Sequence, residues 1–168
     1  MITLRPATPT DVEAIASLLT EVDRYYGATE DEPIAQRVPL IRDAIFEAVP
    51  SAHVLLAWDD EDLIGLASYS FLWPAAGVTR SLFLKELYVT EASRQHGVGR
   101  LLMGELSQIA QDSGCSRIEW AADTDNPVAL RFYETLGVPP NSSKHFYRLD
   151  GHALEQMAAS AEAHGGRC

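Results

Sequence analysis

The 168-residue sequence predicts one α/β (α+β) domain built on a mixed sheet, and two stretches carry that prediction. An apolar run from Ser81 to Val89 leads into Arg94-Gln95-His96-Gly97-Val98-Gly99-Arg100 and then a helical run that begins Leu101-Leu102-Met103. With a strand-like stretch at 117–122, this reads as a right-handed βαβ crossover that sets two strands parallel. Ahead of it, His53 to Trp58 and Leu63 to Tyr69 flank the acidic turn Asp59-Asp60-Glu61-Asp62 and read as an antiparallel hairpin.

The elements follow in order. A first helix is expected from Thr8-Pro9-Thr10-Asp11, where a threonine cap, a proline in the first turn and an acid three residues after the cap form a start signal. Val12, Ile15, Leu18, Leu19 and Val22 then recur at helical spacing. Tyr25 to Val38 reads as an exposed polar connection and 39–49 as a second helix, with Leu40, Ile41, Ala44 and Ile45 inward. After the hairpin, Trp73-Pro74-Ala75-Ala76-Gly77 makes a turn into the 81–89 strand. A helix over 98–113, the strand at 117–122, a helix over 126–136 and a strand over 145–149 complete the domain. Residues 1–155 are expected to form that single domain and 156–168 a frayed tail.

Composition excludes several function classes. Apolar residues make up 46% and charged residues 22%, values of an ordinary globular protein, and no apolar run approaches the roughly 20 residues of a membrane span. The N-terminus lacks a secretory pattern, so a cytoplasmic protein is expected. A formal net charge of −11 argues against nucleic acid and anionic membranes and favours cationic partners. Cys115 and Cys168 are expected as free thiols. The five histidines show no metal-binding spacing, so no metal is expected.

The turn at 94–100 carries the most chemistry. A strand, a glycine turn and a helix N-terminus present backbone N–H groups to an anion. Gly97 and Gly99 let the main chain approach phosphate with no Cβ in the way, and Arg94 and Arg100 bracket the turn with positive charge. The dinucleotide fingerprint needs a third glycine where Leu102 stands, and a P-loop needs Lys-Ser/Thr where Arg100 and Leu101 stand. A Gly-x-Ser-x-Gly nucleophile elbow is missing as well.

The run instead resembles the Arg/Gln-x-x-Gly-x-Gly/Ala signature of the GNAT acyl-CoA N-acyltransferase superfamily, matched at Arg94, Gly97 and Gly99 and preceded by Glu86-Leu87-Tyr88-Val89. Asn126 to Gly137 resembles the superfamily's second hallmark, Asn-x-x-Ala-x-x-Phe-Tyr-x-x-x-Gly. The resemblance implies the GNAT fold over roughly residues 2–150: two N-terminal helices, a mostly antiparallel central sheet, a parallel strand pair that splays to admit the pantetheine arm, and helices on both faces. It implies acetyl-CoA (coenzyme A) as co-substrate. Backbone groups of Leu87, Tyr88 and Val89 would pair with pantetheine and polarise the thioester carbonyl. Amides of Gln95, His96, Gly97, Val98, Gly99 and Arg100 would hold the pyrophosphate beside Arg94, and Asn126 would reach the cofactor from the next helix start. Tyr133 would protonate the departing thiolate, its competing reading being core packing in the stripe of Ala129, Phe132 and Leu136. Phe132 is read as core with cofactor contact.

On the amine side, Glu86 is the candidate base, acting through a water, with a solvated or structurally paired glutamate as the competing reading and Glu119 as the alternative base. Tyr25, Tyr26, Trp73 and Trp120 are aromatics suited to an amine or ring, and equally to packing. The layout most resembles the spermidine/spermine and related diamine acetyltransferases. It departs from them at Lys85, where that family commonly carries an acid, and a cation there would repel a polyamine. Strict alternation sends Lys85 and Glu86 to opposite faces. The expected activity is N-acetylation of a small-molecule primary amine (polyamine, amino acid or amine-bearing antibiotic), with a protein N-terminus or lysine, or a non-catalytic acyl-CoA sensor, as alternatives. The sequence leaves oligomeric state open, dimers being common in the superfamily.

Overall fold

A computed structural model describes residues 1–141 and 143–165. They belong to two compact units, Met1–Asn126 and Pro127–Cys168.

The first unit holds one five-stranded sheet in the order β1 (Ile2–Pro6), β2 (His53–Asp59), β3 (Asp62–Leu72), β4 (Arg80–Val89) and β5 (Cys115–Trp120). Pairing is antiparallel from β1 through β4 and parallel between β4 and β5, the mixed sheet expected from the hairpin and the crossover. The second parallel strand starts two residues earlier than expected because Cys115 already pairs with Arg80. Three helices cover the sheet: α1 (Val12–Tyr25), α2 (Ile34–Phe46) and α3 (Val98–Asp112).

The faces follow from the register. Leu56, Leu66 and Tyr88 stand opposite one another across three strands and pack with Ile15, Leu18 and Val22 of α1, with Ile41 and Ile45 of α2 against the same cluster. On the other face α3 buries Val98, Leu102, Met103, Leu106 and Ala110. Each fully buried leucine or isoleucine here contributes about 1.5–3 kcal/mol by leaving water.

The start signal of α1 forms as its residue types require. Pro9–Asp11 makes one 3₁₀ turn, and the Thr8 N–H and hydroxyl each donate to Asp11 Oδ2 at 2.7 Å. Arg5 adds a two-point contact to the same carboxylate, at 2.7 and 2.8 Å, so Asp11 is 5% exposed yet fully paired. The Arg5 guanidinium, then the Thr8 donors, hold its pKa well below the ordinary carboxylate range. A depressed acid stabilises the fold at pH above its unfolded value of about 3.9, and that contribution is lost as pH falls through the native value. Asp11→Asn is therefore expected to cost about 1–3 kcal/mol at pH 7, discounted because the Arg5 side chain is 39% exposed. The deficit shrinks as pH falls below 4, which thermal melts across that range measure.

Three expectations need correction. The second helix begins at Ile34 rather than Pro39: Pro33 precedes it, its carbonyl accepts the Gln36 N–H at 2.9 Å, and Pro39 falls inside the helix. Pro39 removes one backbone donor there, and the helix nevertheless continues through it to Phe46, so it marks neither its start nor its end. The second unit contains α4 (Pro127–Thr135) and α5 (Gly151–Gly165), and 145–149 forms no strand. A strand needs a ladder, and among the described residues β5 pairs with β4 alone. Helix α5 occupies part of the stretch expected to fray, while 166–168, including Cys168, lie outside the described residues. No helix among the described residues is long and apolar enough to cross a membrane.

Candidate active site

The site is set by where β4 loses one neighbour. The parallel ladder ends with Leu84 opposite Trp120, while β4 continues to Val89 with β3 on its other side. Over Lys85 to Val89 the β5-side edge of β4 has no strand partner among the described residues, although the Val89 carbonyl accepts a hydrogen bond from Arg94 and the Leu87 main chain bonds Glu86.

A bulge sits where the ladder stops. Glu86 faces Ser68 and Leu84 faces Tyr69, so Lys85 has no partner on β3. The extra residue re-phases the strand: Leu84 shares the α3 face of Gly65 and Ala67, whereas Glu86 shares the α1 face of Leu66 and Tyr88. Without it, Leu84 and Glu86 would point the same way. The expected strict alternation of Lys85 and Glu86 does not run through this bulge; exposure separates the two, with Lys85 exposed and Glu86 half-buried.

Glu86 accepts a hydrogen bond from the Tyr26 hydroxyl at 3.4 Å. Burial raises its pKa above the ordinary glutamate value, opposed by the Tyr26 bond, the Leu87 backbone and the Lys85 charge, and aided by Asp123. Burial, then the Glu86 charge, pushes the Tyr26 phenol up to about 12. Glu86 is thus a better proton acceptor than a solvated glutamate.

Beyond β4, Gln95 (φ 65°) and Gly97 (φ 83°) both lie in the left-handed region and curl the main chain ahead of α3, a turn of the kind that can gather N–H groups around an anion. Gly97 begins α3, its carbonyl accepting the Leu101 N–H at 3.0 Å, and no side chain caps that helix end. A helix N-terminus without a side-chain cap, entered through two left-handed residues, suits an anion such as a pyrophosphate. Gln95, His96 and Arg100 are exposed at the turn, whereas the Val98 side chain is core. A Cβ at Gly97 would touch nothing within 4 Å, so Gly97→Val is expected to act through backbone strain and obstruction of phosphate rather than through a clash. Coenzyme A affinity is expected to fall about tenfold or more in a folded protein, ~1.4 kcal/mol at least, by titration calorimetry.

Arg94 is built inward. Its Nε donates to the Val89 carbonyl at 3.0 Å, and its guanidinium lies 4.8 Å from the Tyr25 ring centre and 5.5 Å from that of Tyr88. Asn126 accepts a hydrogen bond from the Tyr25 hydroxyl at 3.3 Å. Trp120 is half-buried at the last rung of the parallel ladder, and Glu119, one rung back opposite Phe83, pairs with Arg117 at 3.0 Å. Trp73 is not brought to Glu86: it follows Leu72, which faces Ser81, and the five residue steps from Ser81 to Glu86 span about 17 Å. Phe132 and Tyr133 belong to the second unit, half-buried on α4 with ring centres 5.2 Å apart.

Gly65 escaped the sequence reading. It faces Val89 across the β3–β4 ladder, and a Cβ there would lie 2.9 Å from the Tyr88 carbonyl oxygen, 3.5 Å from Val89 Cγ2 and 3.6 Å from Leu102 Cδ1. A lone glycine inside an apolar strand was the available signal. Gly65→Ala is expected to cost about 1–3 kcal/mol by displacing the Tyr88 backbone and to weaken coenzyme A binding with it. Unchanged melting and unchanged affinity would count against a tight approach at this position.

The family model described as Acetyltransferase (GNAT) family matches residues 15–138. The chain belongs to the GNAT family. As a GNAT protein it is an acetyltransferase, with the fold and activity class that the two motifs implied, and acetyl-CoA is the family's acetyl donor. It is 24% identical over 166 residues to thialysine N-epsilon-acetyltransferase of Sus scrofa, an alignment covering 92% of this chain and 96% of the relative. Integron cassette protein VCH_CASS6, from the mobile metagenome of V. cholerae, superposes with a TM-score of 0.87 at 25% identity, covering 94% of this chain and 97% of that one. Aminoglycoside N-acetyltransferase AAC(6')-Iy in complex with CoA shares the fold, with a TM-score of 0.71 at 18% identity over 88% of this chain and 94% of that one. Among the described residues of this GNAT protein no group of three or more His, Cys, Asp or Glu side chains could hold a metal ion.

Proposed function

We propose that this GNAT enzyme acetylates the primary amine of a small molecule by direct attack on acetyl-CoA in a ternary complex, with Glu86 on the amine side and the 94–100 turn on the cofactor side. The observation that carries the reading is the end of the parallel ladder at Leu84–Trp120, with the half-buried Glu86 two residues farther along β4. Acetyl-CoA supplies, when bound, an activated acyl carbon and a thiolate leaving group. The chain has three tasks around it. Main-chain groups of Leu87, Tyr88 and Val89 orient and polarise the acyl carbonyl. Glu86, its pKa raised by burial, takes the amine proton through a water, since only a neutral amine attacks. Tyr133 gives a proton to the leaving sulfur.

The charge pattern supports an amine of modest size. A carboxylate with a second acid near it attracts an alkylammonium, and Asp123 acts on both Glu86 and Tyr26. Lys85 beside Glu86 disfavours a chain of several cations, so an amino-acid-like amine fits better than spermine. The name of the Sus scrofa relative, an N-epsilon-acetyltransferase of thialysine, points the same way. The acidic composition and two cysteines accord with a cytoplasmic enzyme.

The test is thiol release from acetyl-CoA across thialysine, ornithine, spermidine, an aminoglycoside and a peptide with a free N-terminus. Turnover of the amino-acid amines above the peptide supports the reading. Release with the peptide alone replaces it with a protein acetyltransferase, and coenzyme A binding with no release from any amine replaces it with a sensor.

A further inference from the structure

Tyr25 is the last residue of α1 and Tyr26 the next, and main-chain hydrogen bonds close the helix there. The Tyr26 N–H bonds Val22 O at 3.1 Å, Gly27 N–H bonds Arg24 O at 3.0 Å, Ala28 N–H bonds Asp23 O at 2.9 Å, and Gly27 adopts φ +97°. Such a closure fixes the direction in which the two rings leave the helix. They meet edge-on with centres 5.3 Å apart, and the Tyr25 ring also stands edge-on to Tyr88 at 6.0 Å. Two cofactor-side residues from separate parts of the chain converge on Tyr25. The Arg94 guanidinium lies over its ring, and the Asn126 side chain accepts a hydrogen bond from its hydroxyl. Its neighbour Tyr26 meanwhile bonds the amine-side Glu86.

We propose that Tyr25 is a positioning residue for acetyl-CoA, its ring holding Arg94 against the Val89 carbonyl and its hydroxyl setting Asn126, so that the anion turn and the segment before α4 share one reference point. The inference rests on the acetyl-CoA reading of the site. A guanidinium held by a π face and by one main-chain carbonyl keeps the turn that begins at Arg94 in a single geometry, and the anion then pays less to order it. The ring and the hydroxyl make separable contributions. Tyr25→Phe keeps the stack and loses the Asn126 bond; Tyr25→Leu loses both.

Titration calorimetry with coenzyme A on the full chain decides the matter, using Tyr25→Phe, Tyr25→Leu, Asn126→Ala and the double variant Tyr25→Phe/Asn126→Ala. Tyr25→Phe is expected to weaken coenzyme A binding about 3–10-fold and Tyr25→Leu about 10–50-fold. The double variant is expected to bind within about twofold of Asn126→Ala alone, because the hydroxyl acts through that side chain. In steady-state assays the KM for acetyl-CoA rises more than kcat falls. A packing role would lower the melting temperature without making the two substitutions non-additive in coenzyme A affinity. Parent-like affinity in both Tyr25 variants, or strict additivity in the double variant, overturns the proposal while leaving the acetyltransferase reading in place. A parent that takes up no coenzyme A overturns both.

Discussion

Tyr133→Phe is expected to lower kcat about 10²–10⁴-fold while the KM for acetyl-CoA stays within about twofold of the parent. A departing thiolate needs a proton at or soon after the C–S bond breaks, and a thiol of pKa about 8.5 lies within reach of a phenol near 10. Phenylalanine keeps the ring, its half-buried place on α4 and its 5.2 Å contact with Phe132, so binding and helix packing are preserved and only the donor is lost. Steady-state rates combined with single-turnover measurements separate a slowed chemical step from slowed product release. Turnover within about twofold of the parent, with chemistry limiting, would make Tyr133 a packing residue.

The second large effect belongs to Glu86→Gln and is read from pH dependence. Burial raises the pKa of Glu86, so the working carboxylate of the parent is present only above that raised value, and activity falls on the acid side earlier than an ordinary glutamate of about 4.3 would dictate. The glutamine variant loses that limb. Its activity is expected to lie about 10²-fold or more below the parent near neutrality and to recover partly as pH rises toward the amine's own value of about 10, where free amine no longer requires a base. The stability sign runs the other way. An acid whose native pKa is raised favours the fold when protonated and loses that contribution as pH climbs through the native value, so Glu86→Gln is expected to melt no lower than the parent at pH 7. A variant whose pH–rate profile overlays the parent would move the base to Glu119 or to bulk water.

These predictions rest on features that differ in how legible they were. The strand–glycine turn–helix unit at 81–113 was readable because its signals are local: two glycines, a preceding apolar strand and a following amphipathic run need no knowledge of the rest of the chain. The bulge was not, since nothing in Leu84-Lys85-Glu86 announces it and it exists only through the pairing of Ser68 with Glu86 and Tyr69 with Leu84. Arg94 shows the same limit. Its position in the motif was legible, but its bond to Val89 and its place over Tyr25 depend on α1 returning to the sheet. Proline misled at α2, where Pro39 resembled a start and stands inside the helix. His145 to Leu149 carried strand-like residues, yet a ladder needs a partner that local pattern does not supply.

The unpartnered place of Lys85 has a consequence for how this enzyme's preference can change. A residue that projects from a bulge, exposed and with no cross-strand neighbour on β3, answers to neither core packing nor ladder geometry. Replacing it moves stability by about 0.5 kcal/mol or less, the range of an ordinary surface substitution. Yet its charge sits one residue from Glu86, the carboxylate proposed to take the amine proton. On that proposal, selection can reverse the sign beside the amine site in a single step with the scaffold indifferent, and a lineage can drift between polycationic and zwitterionic substrates without passing through an unstable intermediate.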